Sequence, residues 1–273
     1  MSRSIVINPP GRLAIPEWHE LWEAREVFWS FGVRDLKLRY RQTALGVVWV
    51  VLQPLLSAGI FSIVFGKIAN LPSDGVPYFV FSFAGMLAWS LFSGIVGRAG
   101  PSLVSNQALV SKVFFPRVLV PLSVVLSVMV DFLVAGALMV GLLVAFGIWP
   151  GWPLLLLPLW ILLVVLLASG IGLAASALMV TYRDIQYVIP FALQTLLYAS
   201  PLAYSLSAVG SSVRWLFDIN PLTWLLEGFR WSLLGLSAPA AWQVVAAVVT
   251  SLAVFALGLL VFSKMERGFA DVI

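Results

Sequence analysis

The run Leu154–Val180, LLLLPLWILLVVLLASGIGLAASALMV, contains no charged residue. As a helix rising 1.5 Å per residue it would extend about 40 Å, which exceeds the roughly 30 Å hydrocarbon core of a bilayer. Five more apolar stretches have the length to cross a membrane: Gly46–Ile68, Val76–Gly97, Val118–Ile148, Ile185–Ser205 and Trp242–Phe262. We therefore predict an all-α integral membrane protein with six transmembrane helices.

The composition of the 273 residues favours the same class, since 61% are hydrophobic and only 10% are charged. Soluble domains carry about a quarter charged residues. The chain has no cysteine and a single histidine, His19, so it offers neither a thiolate metal site nor a clustered catalytic site. We therefore expect no metal centre and no membrane-embedded enzyme acting on polyprenyl lipids. The net charge of +4 is attributed to membrane topology, and no nucleic-acid partner is expected.

The basic residues are unevenly placed around the six stretches. Thirteen of the 16 Lys and Arg residues lie before the first stretch, between the second and third, between the fourth and fifth, or after the sixth. The other side holds Lys67, Arg214 and Arg230. The positive-inside rule therefore predicts that both termini are cytoplasmic. The predicted organisation is an N-terminal segment over residues 1–45, a membrane domain over 46–263 and a cytoplasmic tail over 264–273.

Residues 17–43 are charged but amphipathic. The apolar side of the helical pattern is formed by Trp18, Leu21, Trp22, Trp29, Val33, Leu36 and Tyr40. We predict a helix lying in the membrane interface and divided into two pieces at Gly32. Arg39, Tyr40 and Arg41 are candidates to meet a phosphate-bearing lipid substrate at a cytoplasmic entrance. A topology-fixing anchor and a docking site for a partner protein are the alternatives.

Two cytoplasmic connections carry candidate sites. Residues 102–115, bounded by Pro101 and Pro116, are too polar to span and predict one short helix. This helix either fits a groove on another protein or rests on the membrane domain itself. The turn formed by Tyr182, Arg183 and Asp184 is either a cytoplasmic gate or a simple helix end followed by a helix start.

Asp131 is an acid inside the third apolar stretch, about thirteen residues or roughly 20 Å from its start. A carboxylate at that depth must be protonated, paired or in contact with water. We expect a structural hydrogen bond between helices, with a water-filled pathway as the alternative. Counting depth along antiparallel helices gives these neighbours: Ser169, Gln194, Thr195 and Gln53.

Residues 207–237, on the outer side, are rich in both aromatic and charged residues. The pair Asn220-Pro221 divides them into two pieces, neither of which is long enough to cross the membrane. We predict two short re-entrant helices, with an interfacial aromatic belt as the alternative. The candidate exit residues are Trp215, Asn220, Trp224, Glu227 and Arg230.

Several of these segments resemble one known family. The run Asp35–Pro54 resembles the entry into the first span of the ABC-2 type permeases that export bacterial polysaccharides, and Ser111–Pro121 resembles the start of their third span. Tyr182–Asp184, Asn220-Pro221 and Glu227–Arg230 are similar to the same family. The likeness extends in order from Trp18 to Lys264, and within the family it is greatest to O-antigen and teichoic-acid exporters.

The resemblance implies a homodimer in the bacterial cytoplasmic (inner) membrane that binds two copies of a separate ATP-binding cassette subunit. Residues 102–115 would then be the coupling helix that docks on the ATPase, and the residues 207–237 would close the outer exit. The implied ATPase contacts are Asn106, Leu109, Lys112, Phe114, Phe115 and Arg117. ATP and Mg²⁺ would be bound by the partner, and no cofactor by this chain.

The sequence itself lacks the means to bind nucleotide phosphates. It contains no G-x-x-x-x-G-K-[ST] loop, and the one Gly-Lys pair, Gly66-Lys67, lacks the earlier glycine and is followed by Ile68. We therefore expect a transport subunit that is not an enzyme. Its predicted cargo is a lipid-linked polysaccharide such as O antigen on polyprenyl diphosphate. The alternative is an ABC-2 exporter of a small hydrophobic drug or lipid.

Overall fold

The computed structural model describes residues 18–41, 47–110, 112 and 115–269 of the chain. Within these ranges the regular structure is entirely helical. The α-helices are α1 Trp18–Glu23, α2 Arg25–Arg41, α3 Val47–Phe61, α4 Tyr78–Ala99, α5 Ser102–Ser105, α6 Gln107–Val110, α7 Leu119–Ala145, α8 Leu157–Thr181, α9 Ile185–Ala199, α10 Ser211–Ile219, α11 Pro221–Leu234 and α12 Ala241–Met265. A π-helical segment, Ser62–Ile68, continues α3, and a 3₁₀ segment, Trp152–Leu156, precedes α8.

Five helical segments of the described chain have the length and apolar composition to cross a membrane. They are Val48–Ile68, Tyr78–Ala99, Leu119–Ala145, Trp152–Thr181 and Ala241–Gly268. These correspond to the predicted first, second, third, fourth and sixth stretches. The prediction of an all-helical, multi-pass membrane protein is therefore confirmed.

The fifth predicted stretch differs from the prediction in length. Helix α9 has 15 residues and ends at Ala199, whereas the apolar stretch was expected to run to Ser205. The helix ends here because Pro201 follows Ser200, and a residue before proline is pushed out of the helical conformation. Ser200 accordingly has extended backbone angles, φ −115° and ψ 147°. Helix α9 is about 22 Å long, which is shorter than the hydrocarbon core.

Helix α4 forms the centre of the bundle. Its residues Val80, Phe83, Leu91 and Ile95 are fully buried between the helices that surround it. Helices α3, α7, α8 and α11 all contact α4. The aromatic residues of this second predicted stretch therefore largely fill the core, and the side chains of Phe81, Phe83 and Phe92 are buried.

The backbones of helices α8 and α12 are in close contact. A Cβ atom added to Gly258 of α12 would lie 2.0 Å from the carbonyl oxygen of Gly170 on α8. Small residues allow membrane helices to approach in this way, since lipid provides no hydrophobic force between helices and van der Waals contact must hold them together. Both helices run toward the same side of the bundle, and their ends pack together through Leu173, Ala177 and Phe262.

The N-terminal helices show that the predicted break at Gly32 is wrong. Helix α2 continues through Gly32 without interruption, and the break lies at Ala24 instead. Gly32 is buried against α7, where an added Cβ atom would lie 2.6 Å from Cδ1 of Leu126. Its function is to allow close helix packing. The side chains of Trp22 on α1 and of Trp29 on α2 remain exposed.

We predict that Gly258→Leu destabilises the protein, because any side chain at this position overlaps the backbone of α8. Overpacking of this kind costs about 1–3 kcal/mol or more. Thermal unfolding of the purified protein in detergent measures the effect. The matched control is Gly136→Leu on α7, where an added Cβ atom has nothing within 4 Å. Equal melting temperatures for the two variants would contradict the packing described above.

Candidate functional site

A buried arginine organises the end of the bundle where α4 begins. Arg230 of α11 has no exposed surface. Its Nη2 donates to the carbonyl oxygen of Leu202 at 2.6 Å, and its Nη1 donates to Oε1 of Glu227 at 3.3 Å. The guanidinium carbon lies 3.9 Å from the centroid of the Phe81 ring. A buried charge needs such partners, because an unpaired one in an apolar interior costs several kcal/mol.

Two neighbours complete the surroundings of Arg230. Gly85 leaves room for the guanidinium, since an added Cβ atom would lie 2.9 Å from Arg230 Nη2. Glu227 is three residues before Arg230 on α11, the spacing at which helix side chains meet. Burial raises the pKa of the Glu227 carboxyl, and the charge of Arg230 opposes that rise.

Asn220 joins the end of α9 to the start of α11. Its Oδ1 accepts a hydrogen bond from the backbone N–H of Leu222 at 3.0 Å, which caps α11. Its Nδ2 donates to Ser200 Oγ at 2.9 Å and to the carbonyl oxygen of Ala199 at 3.2 Å. Asn220, predicted as a break between two helices and as a candidate exit residue, thus links Ala199 at the end of α9, Ser200 and the start of α11.

We call residues 200–207 the outer segment, after the side of the membrane on which the sequence predicts them. This segment is also bonded by Asp74 and Tyr78, which lie just before and at the start of α4. Asp74 accepts hydrogen bonds from the hydroxyls of Ser205 and Ser207. The hydroxyl of Tyr78 donates to the carbonyl oxygen of Ala203. Sequence reasoning missed Asp74, because an Asp-Gly pair between two apolar stretches indicates only a turn. Arg230, Asn220, Asp74 and Tyr78 therefore converge on one segment, and we call these four residues the outer cluster.

The two tryptophans predicted at the exit have different environments. Trp224 is buried in α11, and its ring packs edge-to-face against Trp242 with centroids 5.9 Å apart. Trp215 of α10 is 57% exposed. Trp224 therefore belongs to the core, and of the two only Trp215 is available for contact with lipid or cargo.

Asp131 pairs with an arginine that the sequence had assigned to a loop. Arg98, in the last turn of α4, donates through Nη2 to Asp131 Oδ2 of α7 at 2.7 Å. The contact joins two helices, because the long arginine side chain reaches from the last turn of α4 to α7. Arg98 and Asp131 line a cavity of about 240 Å³, and among the expected neighbours of Asp131 only Gln53 also lines it. Ser169, Gln194 and Thr195 do not line it.

Residues 102–110 form two short helices, α5 and α6, so the prediction of one continuous helix over 102–115 was wrong. Asn106 interrupts the helix, and its Nδ2 donates to the carbonyl oxygen of Ser102 at 2.8 Å. Asn106 Oδ1 also accepts a hydrogen bond from Arg34 of α2. We call residues 102–110 and 112 the docking segment, after the role that the family resemblance implies for them. Its buried side rests on the membrane domain through Leu103 and Val110.

The remaining predicted contacts of this region are split between buried and exposed positions. Leu109 and Lys112 are exposed on the docking segment, whereas Phe115 is buried and its ring lies 5.5 Å from that of Phe31. Arg117 donates to the carbonyl oxygen of Glu266 at 3.3 Å, which links the start of α7 to the end of α12. Phe114 lies outside the described residues.

Two further predicted sites are the lipid entrance at residues 39–41 and the gate at residues 182–184. The structure describes only the backbone of the first, and it shows that the second is exposed. Arg39, Tyr40 and Arg41 form the last turn of α2, and their side chains lie outside the part that the structure describes. Tyr182 and Arg183 are exposed, with Asp184, in the turn between α8 and α9. The turn lies at the same end of the bundle as the docking segment, since α4 and α8 both end there.

We predict an energetic coupling of roughly 1.5–3 kcal/mol between Arg98 and Asp131, the range of hydrogen bonds to charged groups. A double-mutant cycle with Arg98→Gln and Asp131→Asn measures it from unfolding free energies. The double variant should be more stable than the sum of the two single losses implies, because each single variant already loses the same Arg98–Asp131 contact. Strict additivity of the two losses would show that the contact contributes nothing.

Comparison with known proteins places the chain in a family. Residues 26–234 match the family described as ABC-2 type transporter. The chain is 28% identical over 254 residues to the O-antigen export system permease protein RfbA of Myxococcus xanthus, covering 92% of this chain and 97% of that protein. It is 25% identical over 203 residues to the polysialic acid transport protein KpsM of Escherichia coli, covering 71% of this chain and 76% of that protein. It is 23% identical over 260 residues to the inner membrane transport permease YadH of Escherichia coli strain K12, covering 92% of this chain and 97% of that protein. The chain belongs to the ABC-2 type transporter family.

Proposed function

We propose that this chain is the permease subunit of an ATP-driven exporter that moves a lipid-linked polysaccharide, such as O antigen on polyprenyl diphosphate, out of the cytoplasm. One observation carries the proposal. The similarity to the O-antigen export permease of Myxococcus xanthus extends over 92% of this chain and 97% of that one. A match of nearly the whole length indicates a shared architecture, of which the transport route is a part.

The proposed assembly contains two copies of the chain and two ATP-binding subunits in the bacterial inner membrane. Helix α9 would be the fifth of six spans, and an even number of spans places both termini in the cytoplasm, as the basic residues predict. Helices α3 and α9 support a route between two copies, because both expose large side chains to their surroundings. On α3 these are Trp49, Leu56 and Ile60, and on α9 Tyr187, Phe191 and Tyr198.

The exposed aromatics of α9 fit a saccharide cargo. Tyr187 and Phe191 are four residues apart and Tyr198 is seven further on, so the three rings share one helix face. Sugar rings present C–H faces that pack on aromatic rings. The buried aromatics of α4 cannot serve this purpose. Arg39, Tyr40 and Arg41 would receive the diphosphate, Tyr182, Arg183 and Asp184 would gate the cytoplasmic end, and the outer cluster would support the exit.

The docking segment would contact the ATPase. Its inward side chains fix it to the membrane domain, so that Leu109 and Lys112 face away from the bundle. An amphipathic element in this position suits a groove on a partner. Both sequence interpretations of residues 102–115 are thereby combined, because one side rests on the bundle and the other is available.

We predict that Leu109→Arg abolishes co-purification of the proposed ATP-binding subunit, because a charge replaces an apolar contact. Its control is Leu155→Arg, an equally drastic change at an exposed leucine near the opposite end of the bundle. The control should retain the partner. Retention of the ATPase by both variants would remove the docking segment from the interface.

We further predict that proteoliposomes containing this chain and its ATPase transfer lipid-linked glycan to the opposite side of the membrane only with ATP. The measurement is accessibility of the glycan to an added glycosidase, for glycans of graded length. Vesicles with the permease alone are the control and should show no transfer. Transport of a small hydrophobic drug without any glycan would favour the alternative cargo, and transfer without the ATPase would refute the proposal.

A further inference from the structure

A groove of about 370 Å³ separates α9 from the pair formed by α8 and α12. Helix α9, all of which the structure describes, has Ile189 as its one buried residue, so it stands partly away from the bundle. The lining of the groove is apolar throughout. It includes Leu178 of α8, Ile185, Ala192 and Leu196 of α9, and Leu257 and Val261 of α12.

The dimensions and the chemistry of the groove both indicate a hydrocarbon chain. From Ile185 to Leu196 it extends about 16 Å along α9. This is close to half of the roughly 30 Å hydrocarbon core, the depth of one lipid leaflet. A sugar would leave its hydroxyls without hydrogen bonds against these walls, which is unfavourable. The exposed aromatic face of α9, discussed above as a route for glycan, is a different face of the helix.

One end of the groove carries two exposed cations. Lys264 lies three residues beyond Val261 and seven beyond Leu257, so it continues the helix face that lines the groove. Arg183 lies two residues before Ile185 and is also exposed. Asp184 is the acidic residue in the same turn. Both basic side chains can extend along apolar surface while their charges stay at the membrane boundary.

We propose that the groove binds an acyl chain of an anionic phospholipid from the leaflet in which α12 ends, with the lipid phosphate between Arg183 and Lys264. The lipid fills the space between α9 and the α8–α12 pair and so supports α9, which has few contacts of its own. The proposal depends on the groove and its basic end, and it holds whatever cargo the protein exports.

The first test compares lipids retained by the purified full chain. After exchange into mixed phosphatidylglycerol and phosphatidylcholine nanodiscs and mild detergent extraction, native mass spectrometry counts the bound lipids. We expect preferential retention of phosphatidylglycerol. In Arg183→Gln/Lys264→Gln the preference should fall by at least about tenfold, since each cation near a membrane surface contributes on the order of a factor of five in affinity for anionic lipid. An unchanged preference would overturn the proposal.

The second test fills the groove without altering its charges. Ala192→Trp should prevent retention of phosphatidylglycerol, whereas Ala137→Trp, at an exposed alanine of α7, should not. Equal retention by the two variants would contradict the proposal. So would displacement of the phospholipid by a polyprenyl diphosphate, or a change of Ala192→Trp from dimer to monomer with its lipid retained. The first result would assign the groove to cargo and the second to another copy of the chain.

Discussion

Close backbone contact between helices is the constraint on which the bundle depends. Inside a bilayer the helices gain little from leaving lipid for protein, so association relies on tight packing. Gly170 and Gly258 provide it between α8 and α12, and Gly32 provides it between α2 and α7. These contacts fix the positions of α8 and α7, which in turn surround α4 with its fully buried aromatic residues. The apolar composition determines that the chain enters the membrane, and the glycines determine how its helices meet.

Polar side chains link the helices in two groups, one near each end of α4. At one end, Arg230, Asn220, Asp74 and Tyr78 hold the outer segment by hydrogen bonds. At the other, Arg98 pairs with Asp131, and Asn106 contacts Arg34. Each group is partly or fully withdrawn from water, so each needs the partner that it has. If the protein opens and closes at its two ends during transport, these hydrogen bonds would have to break, or the helices that they join would have to move together.

The sequence was sufficient to predict the helical membrane class, five of the spans and the family. The membrane class and the spans could be predicted because they depend on long apolar runs and their flanking charges, which are visible in neighbouring residues of the sequence. It failed where distant residues meet. Gly32 was interpreted as a helix break, because the sequence around it does not reveal its contact with Leu126, a residue distant along the chain. Arg98 was assigned to a loop, because counting residues ignores the reach of its side chain. The two-copy assembly, the re-entrant path of α10 and α11 and the cargo remain predictions.

The unbroken course of α2 has a consequence for how force could pass through the protein. A rod of 17 residues is about 25 Å long, and it lies against α7. Arg34, near its middle, is hydrogen-bonded to Asn106 in the docking segment, and Asp35 accepts a hydrogen bond from Ser127 of α7 at 2.7 Å. Force applied to the docking segment would therefore pass through Asn106 and Arg34 into one continuous helix, with no break in α2 to absorb it.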